Sequence, residues 1–282
     1  MSGSATNALD LDTAETNIDE VLRRRRRRRR LRFGGILFVQ VAIVVLFLVG
    51  WQYGTNSGRL NKFLFSKPSS VVQQLSKWWH DGTLTSNTVT TVRVMLTGWL
   101  IGIVVGAIMG SIIGLSNIGR LLLEPFVIFC NALPRLLLLP FFVIWLGFGT
   151  RARIVLVVLA ITFIVAITLA DGIREVSSDY VNQAKVLGAS RRMLIKEVYV
   201  PSTILHILAS SRSTVGFAFQ AAVVAELIGS ASGIGFLIVR GQSRLAVAEV
   251  YAGVAIVFVL GVLIDMLLAL LQNRTTRWMP RG

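Results

Sequence analysis

Few residues in this sequence have the type and spacing to do chemistry. His80 and His206 lie far apart, and Cys130 is the single cysteine, which excludes an intrachain disulfide and a Cys-rich metal site. No Ser/His or His/Asp/Glu constellation sits within the long apolar runs, so an intramembrane enzyme is excluded. No G-x-x-x-x-G-K-S/T phosphate loop occurs, and no lysine follows a glycine, so the chain has no means of its own to hold ATP. What remains is a small set of polar residues embedded in apolar surroundings: Asn131, Arg135, Gln220, Glu226 and Asp265. An ionisable residue inside a membrane span is a functional candidate by default. Arg135 stands between Pro134 and Pro140, and prolines free backbone groups toward a cavity. Its guanidinium is a bidentate ligand for oxyanions, or else one half of a salt bridge with Glu226 or Asp265. Glu226 reads as a gate or as a helix-packing carboxylate. Asn131 and Gln220 can line a path, although amides also serve as glue between helices. Glu124 and Asp265 lie near span ends, where side chains snorkel. Cys130 behaves as a small apolar residue, and His206 as a surface or interface histidine.

The elements that position these residues follow from composition. Of 282 residues, 54% are apolar and 15% charged, yet the net charge is +15. The mean hydropathy is +0.69. An apolar and strongly basic chain reads as a membrane protein with cationic ends. A spanning helix needs about 20 apolar residues, and the pattern gives six candidates: 33–52, 93–115, 121–147, 152–171, 208–229 and 248–271. The fold class is therefore all-α, a multi-pass membrane protein with both termini cytoplasmic. Residues 1–32 form a separate tail, acidic and then Arg-rich and disordered, ahead of a transmembrane domain at 33–282. Arg23 and Arg30 bound a run of eight consecutive arginines, followed by Arg32. At the membrane edge this run is a positive-inside anchor touching anionic lipid. No aromatic or folded motif accompanies it, which argues against nucleic acid. Without the run, the basic residues divide almost evenly between the two sides.

Two further patterns concern packing. In the first long loop, 53–92, Val71, Val72, Leu75, Trp78 and Trp79 recur at helical spacing, which predicts an interfacial helix. In the second span Gly98, Gly102, Gly106, Gly110 and Gly114 are four apart and form one stripe without side chains. Such a stripe lets another helix approach closely, either as fixed packing or as an interface that slides.

The stretch 171–204 breaks the membrane pattern. Tyr180, Val181, Ala184 and Leu187 share a helical face, with Asp179 placed to cap its start and Gly188 to end it in a left-handed turn. Ser190 can cap a second short helix whose apolar side is Met193, Leu194, Ile195 and Val198, and Pro201 marks the next boundary. Lys185, Arg191, Arg192 and Lys196 occupy the polar faces. Such an element packs on its own helices or docks a soluble partner.

This run resembles the cytoplasmic signature of ABC importer permeases, E-A-A, three residues, Gly, nine residues, Ile, one residue, Leu-Pro. Ala184, Gly188 and Pro201 match at the right spacing, Val198 and Val200 replace Ile and Leu, and Asn182 and Gln183 stand for Glu and Ala. The stretch from Asn131 through Pro134, Pro140, Trp145 and Gly147 to Gly149 looks like the third-span signature of the sulfonate, taurine and nitrate branch. Ala225-Glu226 with Gly233-Ile234-Gly235 looks like the end of that branch's fifth span, and Asp265 and Arg277-Trp278 also fit. The resemblance covers roughly residues 90–280. It implies a type I importer permease in the inner (cytoplasmic) membrane, not itself an enzyme, that binds no cofactor. It also implies a permease homodimer, two ATP-binding cassette subunits that hydrolyse ATP, and an extracytoplasmic solute-binding protein. Under this resemblance the element at about 172–203 couples to the ATPase through Asn182, Gln183, Ala184, Leu187, Gly188, Met193 and Pro201. The translocation path involves Asn131, Arg135, Gln220 and Glu226. The solute is small and anionic, sulfonate-, taurine- or nitrate-like. The alternative class is an ion-driven secondary transporter or a channel, but such a carrier usually shows inverted repeats, and none is seen.

Overall fold

In the computed structural model, residue 35 and residues 38–61 and 64–275 are described. The tail at 1–32, its arginine run and Arg277-Trp278 lie outside the described residues. The chain divides into two units, 1–69 and 70–282. In the first, helix α1 (Phe38–Asn56) is long and apolar enough to span a membrane and almost wholly exposed. Its last turn is tied by Thr55, whose hydroxyl donates to the carbonyls of Trp51 and Gln52. No strand occurs among the described residues.

The second unit is built around α3 (Thr83–Leu115) and α6 (Thr150–Arg174). Helix α3 starts ten residues before the apolar run that predicted it. Its 33 residues measure about 50 Å at 1.5 Å per residue, against about 30 Å of hydrocarbon. Its polar first turns therefore extend past the span. They begin where Asp81 accepts from the Thr83 amide (2.9 Å), and the Thr83 hydroxyl and amide hold that carboxyl below its ordinary range.

The glycine stripe of α3 lies directly on α6. A Cβ at Gly98, Gly102 or Gly114 would come within 2.5, 2.8 or 2.7 Å of the side chains of Val157, Ile161 and Ile173. At Gly106 and Gly110 it would stand 2.6 Å from the backbone oxygens of Thr162 and Ala166. Backbone cannot yield as a side-chain tip can. Gly106→Ala and Gly110→Ala should each destabilise the protein by about 1–3 kcal/mol through overpacking. Thermal unfolding in detergent measures this, with Gly216→Ala as the neutral control, since a Cβ there meets nothing within 4 Å.

The predicted third span is not one helix. Helix α4 (Asn117–Ala132) ends at Leu133, whose extended backbone (ψ 139°) is what a following proline imposes. A 3-10 turn (Arg135–Leu138) and a short helix α5 (Leu139–Leu146) follow, and Gly147 at φ 79° ends the second. Helix α5 is seated through Leu139, packed with Leu156 of α6 and Ala225 of α9 (Val200–Gly229). Helix α9 lies against α3 and α6 through Val215, Ala218, Phe219, Ala222 and Val223. Helices α10 (Ile234–Ser243) and α11 (Val247–Thr275) complete the unit.

Helix α2 (Pro68–His80) forms where the tryptophan spacing placed it. It does not simply rest on an interface. Val71 and Trp78 are buried against Ile234, Leu237, Ala252 and Ile256, while Val72 and Trp79 stay exposed. The fifth and sixth spans also run longer than predicted, starting at Val200 and Val247. Four described helices meet the length and hydropathy of a span: Phe38–Asn56, Thr83–Leu115, Thr150–Arg174 and Val247–Leu270. The Ser213–Ile228 part of α9 is apolar too.

A buried ion cluster and an exposed helix–turn–helix element

Two sites stand at opposite ends of α6, about 37 Å apart by helix length. At its first turn Arg153 is buried at 3% exposure. Its Nη1 lies 3.6 Å from Oε1 of Glu226, itself 1% exposed, on α9. Nη1 also donates to the Ser232 carbonyl (2.9 Å), and Nη2 donates to the Thr150 hydroxyl (3.1 Å). The other carboxylate oxygen, Oε2, accepts from the Thr91 hydroxyl (2.9 Å) and the Gly235 amide (3.0 Å). Thr91 accepts in turn from the Ile234 amide, and Asn87 from the Gly233 amide (3.0 and 2.7 Å). The ends of α3, α6 and α9, the 230–233 loop and the first turn of α10 are thereby joined in one largely buried network.

The Gly233-Ile234-Gly235 sequence follows from this network. Gly233 has φ 106°, and a Cβ there would fall 2.2 Å from the Glu226 carboxylate. At Gly235 it would fall 2.6 Å from Cβ of Glu226. Only glycine lets the loop backbone close over the acid and donate to it. Glu226 thus pairs with Arg153. Of the two partners expected for Arg135, Glu226 is therefore engaged with Arg153 instead. Arg135 opens the 3-10 turn, and its side chain lies outside the described residues. Asp265 is exposed on α11 and engaged with its surroundings. Glu124 accepts from Arg174 at 2.8 Å, joining α4 to the last turn of α6.

The other candidate path residues do not join the cluster. Asn131 is half-buried in the last turn of α4 and engaged there. Gln220 is exposed on α9, on a face with Ser213, Gly216 and Phe217. Arg153, Thr91 and Asn87 were missed by sequence reasoning. For Arg153 alone there was a partial signal: a carboxylate inside a span requires a cation nearby, and Arg151 and Arg153 both stand at the opening of the neighbouring span.

At the far end of α6, α7 (Ser178–Val186) and α8 (Arg191–Met193, continuing as a π-turn Leu194–Tyr199) form the helix–Gly–helix element. Ser177 rather than Asp179 is the cap: its hydroxyl accepts from the Asp179 amide (3.2 Å), and Asp179 sits in the first turn. Helix α7 closes in a Schellman turn, with Gly188 N–H donating to Lys185 and Ala189 N–H to Ala184 (3.0 and 2.9 Å). Gly188 has φ 82°. Ser190 caps the next helix by accepting from the Met193 amide (3.3 Å). Pro201 marks the start of a helix, as its position predicted. It lies in the first turn of α9, directly after the π-turn in which Val200 N–H donates to Ile195. A proline ring crowds the carbonyl four residues back, and the wider π-turn gives it room.

The predicted apolar face divides. Val181 and Leu194 are buried and Ala184 half-buried, holding the element to its own bundle. Val186 and Leu187 are 87% and 86% exposed, with Tyr180 and Met193 also exposed. Asp179, Asn182, Gln183, Val186 and Leu187 line one shallow groove.

Comparison with known proteins bears on the chain as a whole. Residues 102–277 match the family described as "Binding-protein-dependent transport system inner membrane component". The chain is 29% identical over 264 residues to the putative aliphatic sulfonates transport permease protein SsuC of Bacillus subtilis strain 168, covering 94% of each. It is 31% identical over 243 residues to the protein of that name from Escherichia coli K12, covering 86% of this chain and 91% of the relative. The E. coli K12 taurine transport system permease protein TauC is 28% identical over 241 residues, 84% and 87% of the two chains. Among solved structures, an amino acid ABC transporter crystallised with histidines superposes with a TM-score of 0.61 at 20% identity. That match covers 71% of this chain and 97% of the other. The inward-facing MetNI methionine ABC transporter gives 0.58 at 16% identity, covering 67% and 94%.

Proposed function

Because the chain belongs to the family of binding-protein-dependent transport system inner membrane components, we propose that it is the permease subunit of an ATP-driven importer for a small organic anion. The substrate class is taurine or an aliphatic sulfonate, by the names of its relatives. The observation that carries the coupling half of this reading is the turn at Gly188. It presents Val186 and Leu187 almost fully exposed at the end of α6 opposite the buried ion cluster. Two apolar side chains held outward by a Schellman turn need a partner surface. A separate ATPase supplies the energy, since the sequence holds no phosphate loop.

In this reading the 174–199 end faces the cytoplasm and two ATPase subunits, and the Glu226 end faces the solute-binding protein. The ion cluster fixes the outward ends of α3, α6 and α9 as one rigid cap. The break at Leu133–Pro134 gives α4 and α5 a joint. Motion delivered at the coupling element then passes up α6 and α9. It tilts them against α4, whose tie to α6 is the Glu124–Arg174 pair. The exposed α9 face holding Gly216 and Gln220 lines the path with Asn131 and Arg135, and a second copy of the chain supplies the opposite wall. The exposed Phe126, Phe129, Phe141 and Trp145 of α4 and α5 meet lipid or that copy.

Uptake tests this. Cells lacking their own sulfonate permease, given this chain with its ATPase and binding protein, should accumulate labelled taurine or an alkanesulfonate. Arg135→Ala should abolish uptake at unchanged membrane abundance if the guanidinium holds the sulfonate. Loss of the folded protein instead would assign Arg135 a structural role.

A further inference from the structure

The coupling element carries charge that its own fold does not use. Lys185 lies in the last turn of α7 and Asp179 in the first, both on the favourable side of the helix dipole. Arg191 and Arg192 are different. They occupy the first turn of the helix capped by Ser190, with no acidic residue there. Cations at a helix N-terminus oppose the dipole, so local stability does not account for them. Both are exposed, and among the described residues neither meets a carboxylate. They sit just past the Gly188 turn, beside the exposed Leu187 and Met193. An apolar centre bordered by charge is the anatomy of a protein interface.

We propose that Arg191 and Arg192 form a basic rim that seats against carboxylates on the ATPase subunit, steering the Val186–Leu187 knob into its groove. This rests on the docking reading above and names the surface chemistry of that partner. A membrane surface fits less well. An interfacial helix needs a clean apolar face, whereas the outward stripe of α7 mixes Asp179, Asn182 and Gln183 with Val186 and Leu187. Asn182 and Gln183 add no charge beside Val186 and Leu187, and Asp179 lies at the far end of α7, so the basic charge next to the knob falls on the rim.

Rim charges act mainly on the association rate and its salt dependence. The test follows binding of the ATPase subunit to the full chain in nanodiscs of neutral phosphatidylcholine, from low to high salt. Wild type should associate more slowly as salt rises. R191E/R192E should associate at least about tenfold more slowly at low salt and lose that dependence, with dissociation little changed. Leu187→Asp should abolish binding outright. Wild-type association of R191E/R192E, with Leu187→Asp still inactive, would overturn the basic rim alone. Unimpaired binding of Leu187→Asp would overturn the docking reading itself. A defect of R191E/R192E seen only when phosphatidylserine is added would assign the arginines to lipid and overturn the proposal.

Discussion

Arg153→Ala should destabilise the protein by about 3–5 kcal/mol, the cost of leaving one member of a buried ion pair unmatched. Glu226 would then be a buried carboxylate with only Thr91 and the Gly235 amide as partners. Folded yield in detergent and the unfolding temperature should both fall sharply. The double variant Arg153→Met/Glu226→Gln should recover most of the loss. The glutamine oxygen still accepts from Thr91 and Gly235, and no charge is stranded. A pair without energetic coupling would instead give additive losses in the cycle. Because the network clamps the 230–235 loop, the single variant should also expose that loop to protease before the rest of the protein.

Gly188→Val should leave the bundle folded and uncouple it. A Cβ at this position meets nothing within 4 Å, so space is not the obstacle. The obstacle is φ 82°, where an L side chain costs about 1–2 kcal/mol and a β-branched one more. The turn is exposed, so the chain relieves that strain by opening the Schellman bonds at Lys185 and Ala184. Leu187 then leaves its position, and α7 no longer holds its angle to α8. Co-purification of the ATPase and ATP-driven uptake should fall by at least about tenfold, since a displaced anchor of an interface costs 2 kcal/mol or more. Gly188→Asn should retain much of both activities, because asparagine tolerates the left-handed region.

The contrast between these two sites shows what could be read from the residues alone. The helix–Gly–helix element was legible because its signals are local. A cap serine, a positive-φ glycine and an apolar spacing all act within 20 residues. Even so, the cap fell to Ser177 rather than Asp179, a shift of two positions that spacing cannot resolve. The glycine stripe was legible as a close approach, but not which helix it met, because any neighbour would satisfy it. The ion cluster was out of reach. Its partners come from three distant segments, 87–91, 150–153 and 226–235, and Arg153 at the edge of an apolar run looks the same whether it faces water or Glu226. The break in the third span was half visible: Pro134 and Pro140 foretold disturbance, while the extended Leu133 emerges only with the backbone. Span ends were set too short wherever polar turns continued a helix beyond the apolar run, as in α3 and α9.

The most direct measurement is solute accumulation in liposomes that hold the full chain and its ATPase subunit, with the binding protein and labelled taurine or alkanesulfonate outside. Accumulation should require ATP on the ATPase side, and it should vanish with Leu187→Asp while the chain stays folded. Accumulation driven by an ion gradient without ATP or the ATPase would contradict the assignment and place the chain among ion-coupled carriers.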